Sequence, residues 1–202
     1  MNSTSKPQDR APLADRLIES ALGLLAEEGI EALTLRSVAR RAGVSHGAPA
    51  RHFRSLADLR SEVAAVGFRL LSESIEKSDA RISSKTGPIT DPIARLAAAG
   101  RAYVDCALAN PGLFALMFRA GDLDPDNASL QRDGGAAFER LLDHVRYAQS
   151  FGWQSGREAR LVAGAMWSSV HGLATLWILG AYQRLIPNAS LDDAISMTLG
   201  LE

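Results

Sequence analysis

The segment from Thr34 to Phe53 has the residue types and the spacing of a DNA-binding helix pair. Apolar residues in its first half recur at intervals of three and four, which predicts a short amphipathic helix capped by Thr34. Gly43 predicts a left-handed turn after that helix, and Ser45 predicts the cap of a second helix that ends at about His52. Two short helices joined by a glycine turn are typical of a helix-turn-helix DNA reader. A solvated pair of amphipathic helices is the alternative.

Basic charge is concentrated around this segment. Between residues 33 and 63 six arginines stand against two acidic residues, whereas the whole chain of 202 residues carries a net charge of −1. Local positive charge is what binding to DNA phosphates requires. We predict that contacts with DNA are made by Thr34, Arg36, Ser45, His46, Gly47, Ala48, Arg51, His52 and Arg54.

The same segment resembles the N-terminal signature of the TetR family of bacterial transcriptional regulators, A-x-x-A-G-V-S-x-G-x-x-Y-x-H-F. The resemblance extends over about residues 13 to 63, and residues 16–29 are similar to the family's first helix. It implies a ligand-responsive regulator, most often a repressor, that binds a palindromic operator as a homodimer. The signature is matched here by Ala39, Ala42, Gly43, Val44, Ser45, Gly47, His52 and Phe53.

Two positions depart from the family pattern. Ala50 stands where the family usually has a tyrosine that reaches the DNA backbone, and Leu56 stands where most members have a lysine. Both changes remove phosphate contacts, which supply affinity without specifying sequence. They leave open an alternative function, a ligand-sequestering or protein-interaction module whose DNA reader has decayed.

Length and composition predict an all-α fold of about nine helices. Hydrophobic residues make up 47% of the chain, helix caps and breakers recur along it, and no alternating strand pattern occurs. The single cysteine, Cys106, and a polar N-terminus without a signal-peptide core are typical of a cytoplasmic protein. We expect a disordered tail over residues 1–11, a three-helix reader domain over 12–56, a connecting helix over 57–80, a linker over 81–90, and a helical ligand-binding and dimerisation domain over 91–202.

Capping patterns predict where several helices begin. They occur at residues 55–58, 91–92, 155–158 and 190–193, each with a side chain that can accept hydrogen bonds from the first turn. Residues 121–127 contain three aspartates and predict a loop.

No charged residue occurs between positions 161 and 183. A transmembrane span is one interpretation of such a segment. Its serines, its histidine and the lack of a second span favour a helix buried on one side by its own core and on the other by a partner subunit. The resemblance agrees, because the last two helices of TetR-like proteins pair across a two-fold axis. The predicted interface consists of Gly164, Ala165, Ser168, Gly172, Leu176, Leu191, Ile195 and Leu199, with no role for a membrane.

Apolar and aromatic residues of the C-terminal part could line a ligand cavity. Trp167 and His171 lie one helical turn apart, which places an aromatic wall beside a hydrogen-bonding group. The resemblance implies a small, mostly apolar effector, and ordinary core packing is the alternative for each residue. The predicted ligand-binding residues are Tyr103, Cys106, Phe114, Met117, Phe118, Met166, Trp167, Val170 and His171.

Catalysis and metal binding find little support in the sequence. The four histidines are scattered without the spacing of a metal site, and no nucleophile, Cys106 included, has an evident base and orienter. We therefore expect no cofactor, no metal and no enzymatic activity. His144 is expected at the surface or at an interface, and His52 is expected to support the second helix.

Overall fold

A computed structural model describes residues 12–86 and 91–200. Over these residues the chain is helical and contains no β-strand, which confirms the all-α prediction. The tail predicted over residues 1–11 and positions 87–90 of the predicted linker lie outside the described residues. The nine α-helices of the described part are α1 (Leu13–Glu28), α2 (Leu35–Arg41), α3 (Leu56–Thr86), α4 (Pro92–Ala109), α5 (Pro111–Met117), α6 (Ala128–Ser150), α7 (Ala159–Ile178), α8 (Ala181–Leu185) and α9 (Leu191–Leu199).

Four helices begin where their capping residues predict, among them α3, where the Ser55 hydroxyl accepts a hydrogen bond from the Asp58 backbone N–H at 3.0 Å. The Thr34 hydroxyl accepts a hydrogen bond from the Ser37 backbone N–H at 3.1 Å at the start of α2. The Asp91 carboxylate accepts from two N–H groups at the start of α4, where Pro92 is the first helical residue. The Ser190 hydroxyl accepts from the Asp193 N–H at the start of α9. Each cap satisfies N–H groups that have no partner inside the helix.

Two helix boundaries differ from the prediction. Helix α3 continues to Thr86 instead of ending near residue 80, because no glycine or proline interrupts residues 80–86. Helix α7 is capped by Glu158, whose carboxylate accepts hydrogen bonds from the N–H groups of Arg160 and Leu161. The expected cap at Ser155 is therefore wrong. A carboxylate at this position also interacts favourably with the positive end of the helix.

The described chain divides into two compact units, with the division of α3 after Gly67. The first unit contains the residues up to Gly67 together with Gly112–Gln131, and the second contains Phe68–Pro111 and the residues from Arg132 onward. The core of the first unit is built from α1, α2, the start of α3 and α5. Its most buried side chains are those of Leu17, Leu24, Leu33, Val38, Leu59, Val63 and Leu116.

The second unit has its own hydrophobic core. Leu96 of α4, Leu142 and Val145 of α6 and Ala163 of α7 are at most 1% exposed and belong to one cluster. Gly100 of α4 lies against Leu199, where a Cβ atom would come within 2.7 Å of a leucine methyl group. Because a glycine permits this close approach, α9 packs directly on α4.

Candidate nucleic-acid interface and ligand site

The reader, residues 34–55, begins with a well-formed α2. Thr34 and Ser37 form a capping box: besides the bond given above, the Ser37 hydroxyl accepts a hydrogen bond from the Thr34 N–H at 3.0 Å. At the other end, Gly43 takes a φ of +69°, a conformation that costs glycine little. The Arg16 guanidinium of α1 donates to the Ala42 carbonyl at 3.1 Å and fixes the turn. These contacts hold the reader's first helix rigidly on α1.

The second helix predicted for the reader does not form as an α-helix. The segment forms only a 3-10 turn, Pro49–Arg51, and its hydrogen bonds run from Arg51 N–H to Ala48 and from His52 N–H to Pro49. Proline has no N–H, so it cannot donate to the Ser45 carbonyl, which accepts a 2.9 Å hydrogen bond from the Ala48 N–H instead. The prediction of a helix from Ser45 to His52 is therefore wrong.

Most predicted DNA-contacting residues are exposed on the reader. Ala48 is the exception, because it is 9% exposed and packs inward beside the buried Pro49. Ala48 can therefore contribute only backbone to a DNA contact. Phe53 is buried at the end of the segment and anchors it in the core. The exposed members are Thr34, Arg36, Ser45, His46, Gly47, Arg51, His52 and Arg54.

Half of the arginines in this region are paired with carboxylates. Arg41 bonds Glu27 of α1 through both terminal nitrogens. Arg60 is directed inward, where it bonds Asp122 at 3.0 Å and the Leu33 carbonyl at 3.3 Å. Arg54 pairs with Asp58 and Asp124. Among the described ion pairs none involves Arg36, Arg40 or Arg51, so these three arginines carry the unbalanced positive charge of the reader.

An acidic loop, residues 121–127, packs against the start of α3 within the first unit. The Asp124 N–H donates to the Ser61 hydroxyl at 2.8 Å. The Asn127 side-chain amide donates to Asp58 and to Glu62, at 2.9 Å each. Sequence reasoning missed these partners of the reader. The signal available was three aspartates in one loop of a chain with an arginine-rich segment elsewhere.

Asp58 is the buried centre of this contact, at 7% exposed. Burial is the largest single influence on its pKa and raises it, but the hydrogen bonds from the Arg54 backbone N–H, from Asn127 and from the Arg54 side chain, together with the Arg54 charge, outweigh burial. The pKa of Asp58 consequently lies below its ordinary value. A carboxylate of this kind stabilises the fold at neutral pH, and the contribution is lost as the pH falls through the lowered pKa.

Three of the predicted ligand-binding residues form a hydrogen-bonded aromatic triad in the second unit. The Trp167 indole N–H donates to the Tyr103 hydroxyl oxygen at 3.2 Å, and that oxygen lies 2.9 Å from His171 Nδ1. The rings of Trp167 and His171 meet edge to face at 6.2 Å. Because an indole N–H can only donate, the hydroxyl proton of Tyr103 can be donated to His171.

The aromatic triad is uncharged at neutral pH. Burial raises the pKa of the Tyr103 phenol and lowers the pKa of the His171 imidazole. Burial also raises the pKa of the Cys106 thiol. Desolvation disfavours the charged form of each group. Tyr103, His171 and Cys106 can therefore exchange hydrogen bonds with a ligand, but in their uncharged forms they offer no charge to pair with a charged ligand.

The remaining predicted ligand residues are divided between the two units. In the second unit, Met166 packs against the hydrophobic core cluster and Val170 is 5% exposed. In the first unit, Phe114 and Phe118 meet edge to face at 5.3 Å beside the buried Met117.

The predicted dimer interface is partly exposed and partly buried. Ala165, Ser168 and Leu176 lie on the exposed side of α7, whereas Ile195 is 5% exposed and Leu199 faces Gly100. Ile195 and Leu199 therefore face the interior of their own unit. On α9 the exposed apolar residue is Met197, at 71% exposed. Gly164 and Gly172 are half-buried, and a Cβ atom would meet nothing within 4 Å at either.

Helix α7 is also long and apolar enough to cross a membrane, by length and composition alone. Two of its serines bond to their own helix, Ser168 to the Gly164 carbonyl and Ser169 to the Ala165 carbonyl. Its other side packs against α4 and α9.

His144 is buried, and its expected place at the surface or an interface is wrong. The ring is 2% exposed and lies with Nδ1 2.7 Å from the Arg140 carbonyl and Nε2 3.1 Å from Asp79. Asp79 also accepts from Arg95. One partner of the ring lies on its own helix, and the other, Asp79, lies on α3, 65 positions away in the sequence. Over the described residues, no group of three His, Cys, Asp or Glu side chains could hold a metal ion.

Known proteins match both parts of the chain. Residues 17–63 match the family described as bacterial regulatory proteins, tetR family, and residues 96–199 match the Tetracyclin repressor-like, C-terminal domain. A protein of Mycobacterium tuberculosis described as an uncharacterized HTH-type transcriptional regulator is 26% identical over 93% of this chain and 81% of its own length.

Solved structures show the same fold. A protein of unknown function from Rhodococcus sp. RHA1 has a TM-score of 0.78 at 28% identity, covering 97% of this chain and 96% of its own. The fatty acid degradation regulator FadR from Bacillus halodurans has a TM-score of 0.66 at 15% identity, covering 95% of both chains. Together with the helix-turn-helix signature and the all-helical architecture, the matches over residues 17–63 and 96–199 show that this chain belongs to the TetR family of transcriptional regulators.

Proposed function

We propose that this regulator binds a palindromic operator as a homodimer, most often to repress transcription, and is released by a small, mostly apolar effector. The observation that carries the proposal is the exposed, unbalanced basic surface of the reader, formed by Arg36, Arg40 and Arg51 beside the capped start of α2. The hydroxyls of Thr34 and Ser45 and backbone N–H groups of the reader are suited to phosphates, and Arg51 and His46 to base edges. TetR-family regulators act in the cytoplasm, and we infer the same place for this one.

Selection of bound sequences from a random duplex library, at about 0.1 M salt where distant charges are screened, tests the proposal. Enrichment of a palindrome is the expected result. Two-fold symmetric readers bind half-sites roughly 34 to 36 Å apart, so the spacing of the palindrome reports the dimer directly. No enrichment by a folded dimer would overturn the proposal.

The alternative, a ligand-sequestering module with a decayed reader, is favoured by the 3-10 turn at Pro49–Arg51 and by the missing tyrosine and lysine. Restoring both side chains with Ala50→Tyr and Leu56→Lys separates the two functions. If the reader already binds DNA, the two substitutions should raise its DNA affinity only modestly. If the reader has decayed, they should raise the DNA affinity many-fold from almost no binding.

We propose that the partner subunit of the homodimer covers the outward faces of α7 and α9. Leu176, Leu179 and Met197 are exposed there, at 46%, 64% and 71%. Exposed apolar area of this kind favours association. The half-buried Gly172 permits two helices to approach closely.

Gly172→Glu is expected to convert the dimer to a monomer. A side chain at this position has open space within one subunit, so the fold should persist, but two carboxylates would meet across the two-fold axis. Sedimentation equilibrium measures the change, and circular dichroism checks the fold. Gly156→Glu, in the loop before α7 where a Cβ atom also meets nothing, is the matched control. A dimer as stable as the unmodified protein would place the interface elsewhere.

The effector is proposed to bind beside the aromatic triad and to favour an arrangement in which the two readers no longer match successive grooves. Such a population shift requires only that the effector bind one arrangement more tightly than the other. Helix α3 contributes residues to both units and is the proposed route of coupling. Because the triad is uncharged, we expect it to select neutral ligands with one polar group.

Tyr103→Phe should weaken binding of a neutral probe such as 1-decanol about tenfold, since it removes the oxygen that fixes both Trp167 and His171. Calorimetry at pH 8 measures the change, with Tyr182→Phe on α8 as the control. Below the lowered pKa of His171 the imidazolium should instead favour decanoate over decanol. Equal affinities for the alcohol in both variants would exclude the aromatic triad as the site.

A further inference from the structure

Arg54 lies at the end of the reader, and its exposed side chain is paired with a carboxylate of the acidic loop. It follows the buried Phe53 and precedes α3, and 67% of its side chain is exposed. Its guanidinium lies 2.7 Å from the Asp124 carboxylate of the acidic loop. A guanidinium binds carboxylate and phosphate with the same planar set of donors.

Asp124 is the close partner of Arg54, and Asp58 is the distant one. The side-chain contacts from Arg54 to Asp58 are both 3.5 Å long. Asp58 is satisfied without them, because it accepts from the Arg54 backbone N–H at 2.8 Å and from Asn127 at 2.9 Å. The Arg54 side chain can therefore move away from Asp58 while the buried Asp58 carboxylate keeps its two short hydrogen bonds.

The acidic loop keeps its shape independently of Arg54. The second oxygen of Asp124 accepts from the Asp126 N–H at 3.0 Å, and the Asp124 backbone is held by Ser61. Leu130 N–H donates to Asn127 and fixes the end of the loop on α6. Asp124 consequently presents its carboxylate from a fixed position.

We propose that Asp124 is a positioning residue for DNA binding: its carboxylate occupies the Arg54 guanidinium in place of a DNA phosphate and limits the affinity of the reader. The inference rests on the proposed DNA-binding function. Forming the Arg54–phosphate contact requires breaking the ion pair with Asp124, so this one contact is withheld from DNA while the pair is intact. Any event that moves the acidic loop would change DNA affinity through this arginine.

Asp124→Asn tests the proposal, because asparagine keeps the hydrogen bond to Asp126 while it loses the charge that holds Arg54. We expect the DNA affinity of the full-length protein to rise roughly two- to fivefold, the range expected from one exposed ion pair. The decisive measurement is the salt dependence of binding. The slope of log affinity against log salt should steepen by about 0.9, as one added phosphate contact requires.

Asp126→Asn is the matched control, since it removes the same charge two residues away from an exposed side chain that forms no described ion pair and acts on Arg54 only through space, more weakly than Asp124. It should leave the slope unchanged. Arg54→Ala should have little effect alone, and in combination with Asp124→Asn it should abolish the gain. Equal slopes in Asp124→Asn and Asp126→Asn, or a loss of about 0.9 in slope from Arg54→Ala alone, would overturn the proposal.

Measuring binding on two duplexes separates the test of Asp124 from the test of the proposed operator-binding function. One is the selected palindrome and the other is a random-sequence duplex of the same length. A steeper slope on the random duplex supports the role of Asp124 even if no palindrome is enriched, because phosphate contacts are independent of sequence. If no variant binds either duplex at low salt, both the proposed function and this inference are wrong.

Discussion

Arg51→Ala is expected to lower affinity for the selected operator about tenfold to a hundredfold at matched salt. Arg51 ends the 3-10 turn of the reader, is exposed, and has no ion pair among the described residues. An arginine that reads a guanine with two hydrogen bonds contributes about 1–3 kcal/mol of discrimination. Competition binding with fluorescent operator and random-sequence duplex measures how much of the loss is specific.

Two variants decide what kind of contact Arg51 makes. Arg51→Lys keeps the charge but loses the planar pair of donors, so a base contact predicts nearly the full loss and a phosphate contact predicts almost none. Arg41→Ala is the matched control, because Arg41 belongs to the same reader segment but is already paired with Glu27. Unchanged operator affinity in Arg51→Ala would remove this residue from the interface.

The local structure of the chain is largely predictable from sequence. Thr34, Asp91 and Ser190 mark helix starts that the structure reproduces, because a cap acts on N–H groups within three residues of itself. The reader's second helix is mispredicted for an equally local reason. Pro49 has no N–H to donate, and only a 3-10 turn forms where the cap at Ser45 predicts a helix.

The partners of charged side chains are harder to predict. Arg54 and Asp124 are 70 positions apart, and Arg60 and Asp122 are 62 apart. Periodicity carries information over a few turns and cannot join such positions. The local excess of six arginines over two acidic residues therefore overstates the basic surface, since half of these arginines are held by carboxylates.

The same limit applies to helix faces. An apolar stripe on α9 is visible in the sequence, but which side faces α4 depends on the close approach at Gly100. Ile195 and Leu199 consequently face inward, and Met197 faces outward. His144 is buried for a related reason, because its partner Asp79 lies on another helix.

Asn127→Ala is expected to destabilise the first unit by about 2.5–4 kcal/mol. Asn127 is 4% exposed, and its amide donates to Asp58 and Glu62 while its oxygen accepts from the Leu130 N–H at 2.8 Å. Losing a helix cap costs about 1 kcal/mol. Losing hydrogen bonds to buried charged groups costs about 1.5–3 kcal/mol more. Urea unfolding followed by circular dichroism measures the sum.

Asp91→Ala separates the two contributions, because Asp91 caps α4 from an exposed position and donates nothing to a buried carboxylate. It should cost about 1 kcal/mol. Asn127→Asp keeps the shape and the cap but places a third carboxylate beside Asp58 and Glu62. Like charges raise the pKa of the new carboxyl group, so this variant should be least stable at neutral pH and should recover as the pH falls and the group takes up a proton. If Asn127→Ala costs no more than Asp91→Ala, the amide does not hold the acidic loop on α3, and the fixed position of Asp124 needs another explanation.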